Sequence, residues 1–130
     1  MLKAFLLGAS GYPLLELLTR GRTHYSMALA GGLSTAAFHR ISRGRICLPV
    51  RMLAGGAAVT IIEGLCGLIW NRRYRVWDYR KMPLNWRGQI CLPYTLLWTG
   101  LAGLWMLIDR PKASQPVTVQ HCEPHPTQQP

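Results

Sequence analysis

Two carboxylates interrupt long apolar runs, and these are the residues best placed to do chemistry. Glu63 lies in residues 52–70, MLAGGAAVTIIEGLCGLIW, about two turns before that run ends. Glu16 lies near the end of the run at residues 2–19. A charge at the centre of a membrane span costs about 2.5–3.5 kcal/mol on insertion scales, so such a carboxylate must be paired, protonated or turned to water. For Glu63, the cations Arg72, Arg73 and Arg75 follow the run and would reach back to form a structural ion pair. The alternative is a carboxylate that binds a proton or a cation. Glu16 has the same two readings, with Arg20 at i+4 on the same helix face.

A second constellation fills residues 71–88. Tyr74, Trp77, Tyr79 and Trp86 alternate there with Arg72, Arg73, Arg75, Arg80, Lys81 and Arg87. Trp and Tyr favour the headgroup zone and cations favour anionic lipid phosphates, so the pattern reads as a segment lying on a bilayer. Arg72, Arg73, Arg75, Trp86 and Arg87 are the expected lipid-interface residues, ordered in part by cation–π contacts. Asp78 is the sole acid of the segment and would cap a short helix or pair with an Arg. Pro83 and Asn85 suit a turn. The functional alternative is a re-entrant element presenting Trp77, Asp78 and Asn85 to a cavity. Aromatics among cations also serve nucleic-acid binding. Here the flanking apolar runs account for them, and no nucleic-acid partner is expected.

Other chemistry is thinly supported. Cys47, Cys66, Cys91 and Cys122 form no CxxC pair, so no metal site is expected. His121, Cys122 and His125 sit in a Pro-rich stretch and read as adventitious ligands. His24 and His39 lie beside cations and read as interfacial. No nucleophile with a placed base is recognisable, so neither an enzyme nor a cofactor is expected.

The elements that position these residues follow from composition. Of 130 residues, 49% are hydrophobic and only 15% charged, with 15 Lys and Arg against 5 Asp and Glu, a formal net charge of +10. That much apolar surface excludes disorder for most of the chain. Four cysteines are too few for a disulfide scaffold. A membrane span needs about 20 largely apolar residues. Residues 89–108 contain no charge and 52–70 contain one, whereas 2–19 and 25–41 are weaker runs. A soluble domain of this size would have too little polar helix face to cover four such segments.

The expected fold is therefore all-α: an integral membrane bundle of about four short transmembrane helices (2–19, 25–41, 52–70 and 89–108) within residues 1–109. No alternating strand pattern is visible. The apolar N-terminal run resumes after Pro13, which argues for a retained first span rather than a cleaved signal peptide, interrupted at Gly11-Tyr12-Pro13. Residues 110–130 read as a disordered Pro-rich tail. Small residues in the spans, such as Gly31, Gly32, Gly55, Gly56, Gly64, Gly67, Gly100 and Gly103, favour close helix contacts. Lys and Arg divide almost evenly between the two sides of a four-span arrangement, so the positive-inside rule sets no orientation.

One heptapeptide recurs. Arg43-Gly44-Arg45-Ile46-Cys47-Leu48-Pro49 returns as Arg87-Gly88-Gln89-Ile90-Cys91-Leu92-Pro93, and six of seven positions are identical. Each copy opens a strong apolar run, with Pro in the first turn where its missing N–H costs nothing. The copies are either similar helix starts or the trace of a duplicated two-helix unit. Antiparallel third and fourth spans would place them on opposite faces, as in inverted-repeat transporters.

Residues 63–104 carry a resemblance. Trp77, Asp78, Tyr79, Pro83, Asn85, Gly88, Ile90, Cys91, Leu92, Leu97 and Trp98 match the pattern of the bacterial membrane-protein family called "Putative ABC transporter permease (type IV)". Gly11 to Glu16 look like its Gly-aromatic-x-x-Glu signature. Arg80 stands where that family has Ser, and Thr99 where it commonly has Gly. The family's Gly-Pro-rich segment is replaced by a shorter interval, so the chain resembles a compact member. The resemblance implies a multi-pass protein of a bacterial cell membrane. No GxxxxGK[ST] motif is present, so ATP coupling would require a separate ATPase subunit.

Two functions of different class follow. One is a permease-like transport component, with Glu16, Glu63 and the segment Trp77-Asp78-Tyr79 lining a path. The other is a membrane interaction protein whose basic aromatic joint binds anionic lipid or a protein partner. Four short helices enclose little volume, so a transport path would need a homo-oligomer or a larger membrane partner.

Overall fold

A computed structural model describes residues 1–109, so the expected tail at 110–130, with His121, Cys122 and His125, lies outside the described residues. Within them the fold is all-α with four helices: α1 (Leu2–Arg20), α2 (Tyr25–Ser42), α3 (Leu48–Trp70) and α4 (Leu92–Ile108). Each expected apolar run holds one helix. Both copies of the heptapeptide are helix starts: Cys47 and Cys91 are the N-caps, and Pro49 and Pro93 lie in the first turns. That motif starts α3 at Leu48, ahead of the apolar run itself.

Two expectations need correction. α1 runs unbroken through Pro13. A proline inside a helix removes one backbone hydrogen bond, and here the turn that precedes Pro13 is held against α2, where Gly8 and Tyr12 meet Gly31. The loop after α3 also contains strand pairing. β1 (Asn85–Trp86) pairs antiparallel with β2 (Ile90–Cys91), in the register Asn85 with Cys91 and Trp86 with Ile90. Arg87 and Gly88 turn the chain between them with φ of 52° and 64°. Strands of two residues are too short to leave an alternating pattern in the sequence.

Contacts between small and hydroxyl residues set the helix order. The Thr35 hydroxyl donates to the Ala4 carbonyl at 2.7 Å, and Phe5 lies against Gly32. Thr60 and Thr95 share a 2.9 Å hydrogen bond, while Gly56 meets Thr99, Gly55 meets Ala102 and Gly103 meets Met52. Phe38 of α2 reaches Gly55 of α3. Neighbouring helices are therefore antiparallel. Met1, the 43–47 loop and Asp109 share one end of the bundle; the 21–24 turn and the 71–91 joint share the other. The two heptapeptide copies accordingly sit at opposite ends.

The interior is mostly small, polar or aromatic, with Met27, Val59 and Met106 among those residues, and the outside is aliphatic. Buried positions include Gly8, Gly31, Ser26, Gly55, Gly56 and Glu63, whereas Leu2, Leu6, Leu18, Leu53, Ile61, Leu96 and Leu104 are exposed. α3 is long and apolar enough to cross a membrane by length and composition, and α4 is a shorter apolar helix. Only 33% of the apolar window in α3 is buried within the chain, so it is not an enclosed core helix. At the Met1 end, Asp109 accepts hydrogen bonds from Ser42 at 2.9 Å and from His39 at 2.8 Å, tying α4 to α2. Burial pushes the Asp109 carboxyl up, but these hydrogen bonds outweigh it and hold the group below its ordinary value.

Candidate binding cleft

The joint is built around two buried amides. Asn71, fully buried at the end of α3, donates through Nδ2 to the Trp77 carbonyl at 2.6 Å and to Gln89 Oε1 at 3.0 Å. Its Oδ1 accepts from the Val76 N–H, and Gln89 Nε2 donates back to the Asn71 carbonyl. The Trp77 indole N–H donates to the Gln89 carbonyl at 2.9 Å. This lock folds the joint over the bundle end and buries Trp77 and Tyr79 among Met27, Cys66 and Cys91. Tyr79 stacks on Tyr94 at 4.5 Å and 19°. Burial, reinforced by the charge of Glu63, pushes the Tyr79 phenol above its ordinary range, so it stays a neutral donor.

Asp78 and Asn85 serve the joint itself. Asp78 accepts from Arg80 Nε at 2.9 Å and from Arg80 Nη2 at 2.7 Å, and its carboxyl is held down to about 2 by the Arg80 side chain and then by the Arg80 backbone N–H. Arg80 also lies 4.2 Å over the Tyr74 ring. Asn85 donates to the Met82 carbonyl at 2.8 Å and accepts from the Gly88 N–H at 3.1 Å. Both are exposed, and neither they nor Trp77 line either of the two cavities described below. On the surface, Trp86 is half exposed with Arg87 5.1 Å over its ring. Arg72 turns back to the Leu68 carbonyl, while Arg73 and Arg75 are exposed.

The two carboxylates that open the chemistry occupy separate places. Glu16 pairs with Arg20 at 3.6 Å and accepts from the Thr23 hydroxyl at 2.8 Å. It lines a cavity of about 300 Å³ with Arg20, Arg22, His24, Trp70 and Arg75. Glu63 lines a different cavity of about 240 Å³ between the α1–α2 and α3–α4 hairpins. The exposed Leu7, Gly11 and Leu15 of α1 and Leu101 of α4 form its rim, and Met27, Ala30, Phe38, Val59 and Trp98 its walls.

The expected Glu63–Arg pair is absent. Glu63 takes part in none of the ion pairs among the described residues, which are Glu16–Arg20, His39–Asp109 and Asp78–Arg80. Its neighbours are aromatic instead. Tyr79 and Trp98 face its carboxylate, although the buried Trp98 Nε1 stays outside strict hydrogen-bond geometry. Tyr12 crosses from α1 to Trp98, ring centroids 6.1 Å apart. The Arg residues miss Glu63 because the chain leaves α3 through the Asn71 lock and carries Arg75 toward Glu16.

Asn71 and Gln89 escape sequence reading because they lie 18 residues apart at the margins of apolar runs. Their only local signal is a pair of uncharged amides beside such runs.

Comparison with known families gives one finding. The model of the family described as "Putative ABC-transporter type IV" matches residues 25–125. The match takes in α2, α3, the joint and α4, and leaves Gly11 to Glu16 outside it. No curated protein and no solved structure matches the chain.

Proposed function

The chain belongs to the "Putative ABC-transporter type IV" family, and from that premise we propose that it is a small, non-enzymatic, multi-pass membrane protein forming the permease-like part of a transport assembly in a bacterial cell membrane. Its ATPase would be a separate subunit. The observation that carries this reading is the inverted distribution of side chains: Leu and Ile outside, with Gly, Ala, Ser, Thr and Glu at the helix contacts. Lipid is as apolar as Leu, so helices embedded in it associate through close approach of small residues and through interhelical hydrogen bonds. At 1.5 Å per residue, helices of 17 to 23 residues reach about 25–35 Å, against a hydrocarbon core of about 30 Å.

The test is fractionation followed by affinity purification from a bacterial host that carries the neighbouring genes. The protein should resist extraction by alkaline carbonate and copurify with a chain bearing a GxxxxGK[ST] motif. Release into the soluble fraction would overturn the membrane reading. Membrane retention with no ATPase partner would overturn the transport reading alone.

A second reading, anionic-lipid binding by the basic joint, is supported by the 300 Å³ cavity that gathers Arg20, Arg22 and Arg75 beside Trp70. It predicts a higher Tm in phosphatidylglycerol than in phosphatidylcholine, and the gain should vanish in R22A/R75A.

A further inference from the structure

We infer that the cleft between the two helical hairpins binds a small organic ammonium cation, its charge against Glu63 and its carbon groups on Tyr12 and Trp98. Glu63 is 7% exposed, lines the cleft and lacks a cationic partner among the described residues. A buried carboxylate without a counter-charge is costly, and a cation that brings its own apolar surface would relieve that cost. The Tyr12 and Trp98 rings stand 6.1 Å apart at 46° beside it, and aromatic faces attract cations, most strongly when desolvated.

The lining also selects against other occupants. A hard inorganic cation takes about six or more oxygen ligands. Here Tyr12, Ser34, Thr35 and Glu63 are the oxygen-bearing side chains, and the Thr35 hydroxyl already donates to the Ala4 carbonyl. A neutral lipid tail would gain nothing from the carboxylate. The volume, about 240 Å³, suits an ammonium head with one aryl or a few alkyl groups; drug-sized ligand pockets begin near about 300 Å³. Leu7, Leu15 and Leu101 make the rim apolar, so the ligand enters across an aliphatic surface.

This inference deepens the transport reading by naming a substrate class, and rests on that reading for its physiological meaning but not for the binding itself. Titration calorimetry of the full chain in detergent with benzyltrimethylammonium measures it directly, with neopentylbenzene as the uncharged isostere. Saturable binding of the cation is expected. Glu63→Gln should weaken it at least about tenfold, as loss of one partner of a desolvated charge pair does. Glu63→Asp should weaken it less, and neopentylbenzene should bind at least about tenfold more weakly than the cation. Tyr12→Leu keeps the carboxylate and should also weaken the cation, which provides a second variant should Glu63→Gln fail to fold. No saturable binding, equal affinity in wild type and Glu63→Gln, or equal affinity for cation and isostere would each overturn the proposal. Loss of binding with an ATPase partner intact sinks this inference alone; binding without an ATPase partner sinks the transport reading alone.

Discussion

Asn71 spends every polar atom of its side chain inside the fold: Nδ2 on Trp77 and Gln89, Oδ1 on the Val76 N–H. Asn71→Leu would leave the Trp77 carbonyl, the Val76 N–H and Gln89 Oε1 to be desolvated without the partners Asn71 supplies. Each such group costs about 1–3 kcal/mol, so a loss of at least about 3 kcal/mol is expected, read as a lower Tm in detergent. An unchanged Tm would show that the amide lock does not order the joint. Asp78 makes an opposite kind of contact, on the surface with Arg80. Its folded value is depressed from 3.8 to about 2, so its contribution is complete above 3.8 and is lost as pH falls through about 2. Carbon-13 NMR of the Asp78 carboxyl should give a midpoint near 2, and one near 3.8 would mean that the Arg80 contact does not persist in solution. For Glu63 the geometry removes one expectation: with no Arg paired to it, Glu63→Gln strands no cation, and thermal stability should hold or rise. At this scale the sequence exposed Glu63 because a lone charge in an apolar run is conspicuous. It hid the destination of the Arg residues, which depends on how the chain turns after Asn71.

The helices were legible as elements, because apolar runs of this length leave few other ways to satisfy the backbone. Their starts were legible too, in the repeated Cys-Leu-Pro. What ran ahead of the sequence was the pairing of small residues: Gly8, Gly31, Gly32, Gly55, Gly56 and Gly103 find partners on another helix, Gly64 and Gly67 meet the joint, and Gly100 meets nothing. A Cβ on Gly31 would strike the Gly8 carbonyl and sit 2.7 Å from Tyr12 Cβ, so Gly31→Ala must push α1 from α2. Such overpacking costs about 1–3 kcal/mol. Gly11 lies on the same helix pair with nothing within 4 Å of its would-be Cβ, and Gly11→Ala should gain about 0.5–1 kcal/mol from helix propensity alone. Thermal unfolding of the two variants side by side separates contact from propensity. Equal effects would contradict the close α1–α2 approach. The β1–β2 ribbon and the left-handed Tyr74, Leu84 and Arg87 were not legible. They arise where the joint is folded back by the amide lock, not from any local preference of those residues.

Across the whole molecule, the two ends carry different chemistry. The end with the joint gathers Arg20, Arg22 and Arg75 beside Trp70, with Arg80 over Tyr74 and Arg87 over the exposed Trp86, and the Met1 end closes on the His39–Ser42–Asp109 cluster. Between them the helices present Leu and Ile outward, and the Glu63 cleft opens through that aliphatic surface. The antiparallel order of the four helices is what turns this pattern into a proposed membrane topology, with the 21–24 turn and the joint on one face and the 43–47 loop on the other. Cysteine accessibility in reconstituted vesicles tests that arrangement most directly. In a cysteine-free background, Arg22→Cys and Lys81→Cys should react with an impermeant maleimide from one face, and Arg45→Cys only from the opposite face. Labelling of Arg45→Cys and Lys81→Cys from the same face would contradict the four-span bundle.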